Sequence, residues 1–219
     1  MRNERMKKLL LALVCVLGAM TSTAQTTDIR ELFKQMPDSI FPYLTLNNRL
    51  DCIDFKESNM EARVANSFTG QTRMEVLNEH FISMWMNNAV TMQMRVLPTA
   101  SPVDDVKAVI CMVTTYGTKM KESTIRFFSC KWNPLPTDSY VTLDASRLIR
   151  QQENMTDSRY DELSRLLQPY MVVAKLSEDT DELMLTVSND ALDKKEQTET
   201  DEVILQINLK WNGKLFNKL

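Results

Sequence analysis

The sequence predicts an α+β fold, mainly antiparallel sheet with helices packed on one face. Three observations carry this. Blocks with helical spacing and blocks with strand-like alternation follow one another twice along the chain. Turn residues join consecutive strand-like runs at hairpin spacing. A long apolar run at Val106 to Tyr116 reads as a central strand buried on both faces. Two helix-then-sheet halves, 25–136 and 137–219, suggest a pseudo-repeat within one compact unit, although identity between the halves is too low to demonstrate duplication.

Residues 1–24 read as a secretory signal peptide. Arg2, Arg5, Lys7 and Lys8 supply a positive start, Leu9 to Met20 an apolar run, and Ser22-Thr23-Ala24 a small-residue cleavage site before Gln25. The run falls short of the ~20 apolar residues that span a bilayer. Cys15 follows Val14 inside the run, which is no lipoprotein site. The expectation is an exported protein, periplasmic or extracellular and non-lipidated, with no transmembrane segment after the leader.

The helices come first. Asp28 caps a short helix with Ile29, Leu32, Phe33 and Met36 at helical spacing, interrupted by Pro37. A second segment begins at Asp38-Ser39, is broken by Pro42, and runs toward Phe55 with Leu46, Leu50 and Ile53 on one face. Glu61 to Phe68 is a weak strand. Glu79 to Met86 and Ala89 to Leu97 flank Asn87-Asn88 as a hairpin. That turn sets Trp85 opposite Val90, Ser83 opposite Met92 and Phe81 opposite Met94 on the apolar face, with His80 beside Arg95 on the other. Ser123 to Trp132 is the next strand, and Asn133-Pro134-Leu135-Pro136 ends the first half.

In the second half Asp144 opens a helical turn. Thr156-Asp157 caps a helix carrying Tyr160, Leu163, Leu166 and Leu167, stopped by Pro169. Met171 to Leu176 and Glu182 to Ser188 form a hairpin. Asn189 to Thr200 is polar and reads as a mobile loop. Val203 to Trp211 alternates as a strand, Asn212-Gly213 turns, and Leu215-Phe216 closes the chain.

Composition narrows the chemistry. Taking the leader's four Lys/Arg and one acidic residue from totals of 26 and 29 leaves 22 basic and 28 acidic side chains, a net of −6. Such a surface argues against nucleic acid as a partner. Glycine is too scarce for a phosphate-cradling loop, and Gly-x-Ser-x-Gly is absent. His80 is the one histidine and has no carboxylate placed to orient it. No paired cysteines have zinc spacing, so neither a cofactor nor a metal is expected. Met84, Met86, Met92 and Met94 read as core filling on both faces rather than soft-metal ligands. Cys111 and Cys130 are a candidate cross-strand disulfide. The register from the loop ends sets Cys111 opposite Phe128, two residues off, which favours buried free thiols. Arg49, Asp51 and Asp54 lie close together near a helix end and are the surface-site candidates, though two carboxylates on one helix turn are more often a solvated face or end-capping charge. Asp104-Asp105 and Asp179-Asp181 read as loops.

Several ordered motifs resemble a known family. They are Met36-Pro37-Asp38-Ser39, Leu44-Thr45, Asn48-Arg49-Leu50-Asp51 and Asp54-Phe55, then Thr115-Tyr116-Gly117, Glu122-Ser123-Thr124-Ile125, Phe127-Phe128 and Trp132. Together they resemble small secreted Bacteroidetes proteins grouped as a domain of unknown function. The resemblance covers most of the chain after the leader. It implies location and lineage, and no activity or catalytic residue. The paired halves are also similar in architecture to tandem-repeat periplasmic inhibitor folds.

The expected function is therefore a non-catalytic binding or accessory module of the cell envelope, with a protein, peptide or glycan partner. The alternatives are an envelope hydrolase using two carboxylates from different segments, and a structural subunit of an envelope complex.

Overall fold

A computed structural model describes residues 27–218. The expected leader, its expected cleavage site and Gln25 lie outside the described residues. The first described element is α1 (Ile29–Gln35), where Asp28 Oδ1 accepts the Arg30 N–H at 2.8 Å and Ile29, Leu32 and Phe33 are buried. Pro37 disfavours helical backbone at Met36, and the helix stops there. Next comes α2 (Leu46–Glu57), opened by a capping box in which Thr45 and Asn48 exchange side-chain and backbone hydrogen bonds. Such a cap contributes ~1 kcal/mol.

The face that α2 buries is not the expected one. Arg49, Cys52 and Ile53 point inward, while Leu46 is 46% exposed. Arg49 is an internal clamp. Its Nη1 donates to Asp38 Oδ1 at 2.8 Å and Leu44 O at 2.7 Å, and its Nη2 to Met36 O at 2.7 Å. The guanidinium thus satisfies carbonyls that Pro37 and the end of α1 leave without helical partners.

A seven-stranded antiparallel meander follows, in sequence order: β1 (Ala62–Ala65), β2 (Gln71–Leu77), β3 (Phe81–Asn87), β4 (Val90–Val103), β5 (Val106–Tyr116), β6 (Glu122–Ser129) and β7 (Pro134–Leu135). The sequence pattern missed β2, because a bulge between Met74 and Val76 breaks its alternation. It also ended the first half at Pro134, where the chain adds a two-residue edge strand; an edge position spares the ladder a missing donor. Pro98 sits within β4, which continues to a two-residue turn at Asp104 (φ 50°) and Asp105 (φ 71°).

The β3–β4 register differs from expectation by one residue. Asn87 Oδ1 accepts the Ala89 N–H at 2.8 Å, so the turn is Asn88-Ala89 and Asn87 pairs with Val90. A bulge at Met86 follows, and Trp85 pairs with Thr91, Met84 with Met92 and Phe81 with Arg95. A one-residue slip exchanges the faces of a strand. Trp85 is consequently half-buried under the Arg73 guanidinium, 5.5 Å from the ring centre, rather than in the core. Met84, Met86, Met92 and Met94 all enter one core, with Met36, Met74 and Met112. This core lies between α1–α2 and one face of the sheet, and Trp132 seals it by donating Nε1–H to Leu32 O at 3.0 Å.

The second half covers the opposite face. After two 3₁₀ turns (Thr137–Ser139, Ala145–Leu148), α3 (Asp157–Leu166) is capped by Thr156. A four-stranded antiparallel sheet is built from β8 (Val172–Leu176), β9 (Glu182–Val187), β10 (Ile207–Trp211) and β11 (Phe216–Lys218), in the order β11-β10-β9-β8. The segment read as a mobile loop contains α4 (Lys194–Thr200), opened by an Asp193–Glu196 capping box. Asn189 Nδ2 ties the preceding loop to Thr200 Oγ1 at 3.1 Å. The strand expected from Val203 starts only at Ile207, because Val203 and Ile204 lie against the 149–150 segment. Phe127, Tyr140 and Trp211 stack at the centre of this second core, and Phe216 meets Trp211 edge-to-face.

The two sheets meet edge-on. The free N–H groups of β8 would be orphaned where they abut the large sheet, and that sheet supplies acceptors. Ser123 Oγ accepts the Ala174 N–H at 3.0 Å, and Gln93 Oε1 accepts the Leu176 N–H at 2.9 Å. One side of β8 faces the second core. The other side opens to solvent.

Candidate functional site

The predicted surface trio is dispersed. Arg49 is buried in its clamp, and Asp51 and Asp54 are exposed on α2. The three described cysteines are free and buried. Cys111 pairs with Phe127 and faces the second core, whereas Cys130 belongs to the methionine-rich core, so no Cys111–Cys130 bond forms. Burial pushes the Cys52 thiol up to about 12 and the Cys130 thiol up to about 11, since an apolar surrounding disfavours thiolate. His80 is exposed, with Nε2 3.8 Å from Glu79 Oε1. Phe81, not His80, stands opposite Arg95.

One concave feature of the fold is a wedge on the open side of β8. One wall is the uncovered part of the large sheet, with Val76, Phe81 and Ser83. The other is the outer face of the small sheet, with Lys175, Met184 and Asn208. Its volume is about 450 Å³. Val76 and Met184 are the partly exposed apolar side chains of its lining, and Glu75, Lys175, Glu178 and Glu182 bring both signs of charge to the rim. Lys56 Nζ holds the bulged Glu75 carbonyl at 2.6 Å.

A buried arginine fixes the end of the wedge. Arg95 projects from β4 with 6% of its side chain exposed and holds the β8–β9 loop. Its Nε donates to Asp181 Oδ1 at 2.7 Å, and its Nη1 to the carbonyls of Ser177 at 3.3 Å and Glu178 at 3.2 Å. Asn78 Nδ2 adds a bond to Glu178 O at 3.0 Å. The walls are therefore set by hydrogen-bonded strands and a pinned loop, so the concave surface is pre-formed. Sequence reasoning missed Arg95 as an anchor. The available signal was a charged residue within the apolar run from Val90 to Leu97.

The carboxylates with displaced pKa values lie elsewhere, and all are held low: Glu61 by Arg63, Asp104 by Ser129 and Asn133, and Glu199 by Arg159. Among the described residues, no group of three or more His, Cys, Asp or Glu is placed to hold a metal ion, and no helix is long and apolar enough to cross a membrane.

A solved structure described as a domain of an uncharacterized protein from Porphyromonas gingivalis W83 has the same fold. The two superpose with a TM-score of 0.72 at 22% identity, over 89% of this chain and 100% of that one. No curated protein matches the sequence. A family model described as protein of unknown function (DUF3256) matches residues 20–216, and the chain belongs to that family.

Proposed function

We propose that this protein is exported and acts in the bacterial cell envelope as a non-catalytic binding module, with the wedge between the two sheets holding a peptide segment of a partner protein. The wedge itself carries the reading. Val76 and Met184, partly exposed on facing walls, suit apolar side chains of an extended segment, and a rim of both charge signs suits a polypeptide better than a polyanion. The leader-like first 24 residues and a neighbour of the same fold from a Bacteroidetes organism support the location. Affinity capture from envelope extracts tests it, comparing the mature protein with Ser83→Arg, which places a long charged side chain in the wedge. A discrete partner retained by the first and lost by the second is expected. Equal retention would move the binding surface elsewhere.

The hydrolase alternative has one observation in its favour: Glu75, Glu178 and Glu182 reach the wedge from three different segments. It requires turnover of an envelope polymer or peptide that Glu178→Gln or Glu182→Gln abolishes.

A further inference from the structure

A second concavity lies beyond the Ser177–Asp181 loop, on the side away from the wedge. The strand β3 starts at Phe81, so β4 beyond Val96 has no neighbour on that edge, and His80 O takes the Val96 N–H at 2.9 Å. The space left is about 240 Å³ and is bordered by His80, Arg95, Lys107 and Asp181, with Val96 and Pro98 as apolar wall.

Arg95 commits only part of its fork to the protein. Nε and Nη1 are taken by Asp181 and the loop carbonyls. Nη2 has no hydrogen-bond partner among the described residues, and it is not sealed from solvent. This cavity is where Arg95 meets open space. Lys107 is exposed and has no ion pair among the described residues. The formal charges of Arg95 and Lys107 against Asp181 leave the cavity one positive charge in excess.

We propose that this cavity binds a small organic carboxylate. One carboxylate oxygen takes the free Nη2–H of Arg95 and the other meets the Lys107 ammonium, with the His80 ring at the mouth. Charge-assisted hydrogen bonds of this kind are among the strong ones, and a desolvated arginine pre-set by Asp181 loses little freedom in making one. The apolar wall of Val96 and Pro98 favours an aliphatic tail over the bare oxygens of phosphate. The volume of about 240 Å³ suits a short acid. The site is separate from the wedge, and its test does not depend on the proposed function.

His80 is the single histidine of the chain, so its ring gives one unambiguous set of NMR signals in untagged protein. The experiment titrates acetate, propionate and butyrate at constant ionic strength, with chloride and inorganic phosphate as controls. A saturable shift of the His80 signals is expected, tightening up to about fourfold per added methylene where it is buried. Lys107→Met should weaken butyrate about fivefold, while Lys119→Met, on a distant loop, should leave it unchanged. A non-saturating shift that chloride reproduces would overturn the proposal. So would equal saturation by phosphate, or unaltered butyrate affinity in Lys107→Met.

Discussion

Replacing Gln93 by alanine tests how the two sheets are joined. In the native protein its Oε1 accepts the Leu176 N–H at 2.9 Å, and Leu176 is 1% exposed. The substitution removes the acceptor and leaves the Leu176 N–H without a protein partner. An unsatisfied buried donor costs about 1–3 kcal/mol. At about 2 kcal/mol, a chain of this size should lose roughly 4–8 °C in Tm. Ser123→Ala removes the acceptor of the Ala174 N–H two residues away and should cost a similar amount, about 1–3 kcal/mol. Because both bonds hold one strand, the double variant should lose less than the sum of the two. Urea unfolding of the single and double variants provides the numbers, with Gln71→Ala at an exposed position of β2 as control, expected within about 0.5 kcal/mol of the parent. If Gln93→Ala matched the Gln71 control, the edge-on junction would not be a stabilising contact and the reasoning would fail.

Arg49→Met should cost about 3 kcal/mol or more in urea unfolding, because it strands the Leu44 and Met36 carbonyls, whereas Asp51→Asn and Asp54→Asn should each stay within about 0.5 kcal/mol. Trp132→Phe removes the bond to Leu32 O and also part of a buried ring, for an expected loss of about 2–4 kcal/mol. Cys52, Cys111 and Cys130 should resist a thiol reagent at pH 8 in the native protein and react fully in denaturant. Their folded pKa values lie above the ordinary 9.0, so the unfolded chain releases these protons first, and stability should fall as pH rises above about 9. Intact-mass measurement of the native protein should show a chain beginning at Gln25; a retained Met1 or a lipid on Cys15 would contradict the leader assignment.

The parts of the fold legible in the sequence are those fixed by local chemistry. Asp28 and Thr156 cap the helices they were assigned, and Asn212-Gly213 opens the last hairpin with Gly213 at φ 87°, although the connection is a four-residue loop, 212–215, that pairs Trp211 with Phe216. The long apolar run from Val106 to Tyr116 is a central strand. Reading failed where one residue decided between two patterns. Asn87 and Asn88 both suit a tight turn, and only the Asn87 side-chain bond to Ala89 selects the register that turns Trp85 outward. Polar residues with long-range partners were also misread. Arg49, Arg95 and Asn189 look like surface chemistry, yet each holds backbone or side chains far along the chain. The wedge was not legible at all. Its walls come from segments about a hundred residues apart, and no local pattern records that β8 stands edge-on against another sheet.

The most direct test of the wedge as the binding surface is site-specific photocrosslinking in the native envelope. A benzoylphenylalanine introduced at position 175, on the wedge wall, should give one discrete adduct on irradiation, and the same group at position 51, on the exposed side of α2, should give none. The adduct from position 175 should disappear when Ser83→Arg is added. Adducts of equal yield from both positions, or an adduct from position 51 alone, would contradict the account.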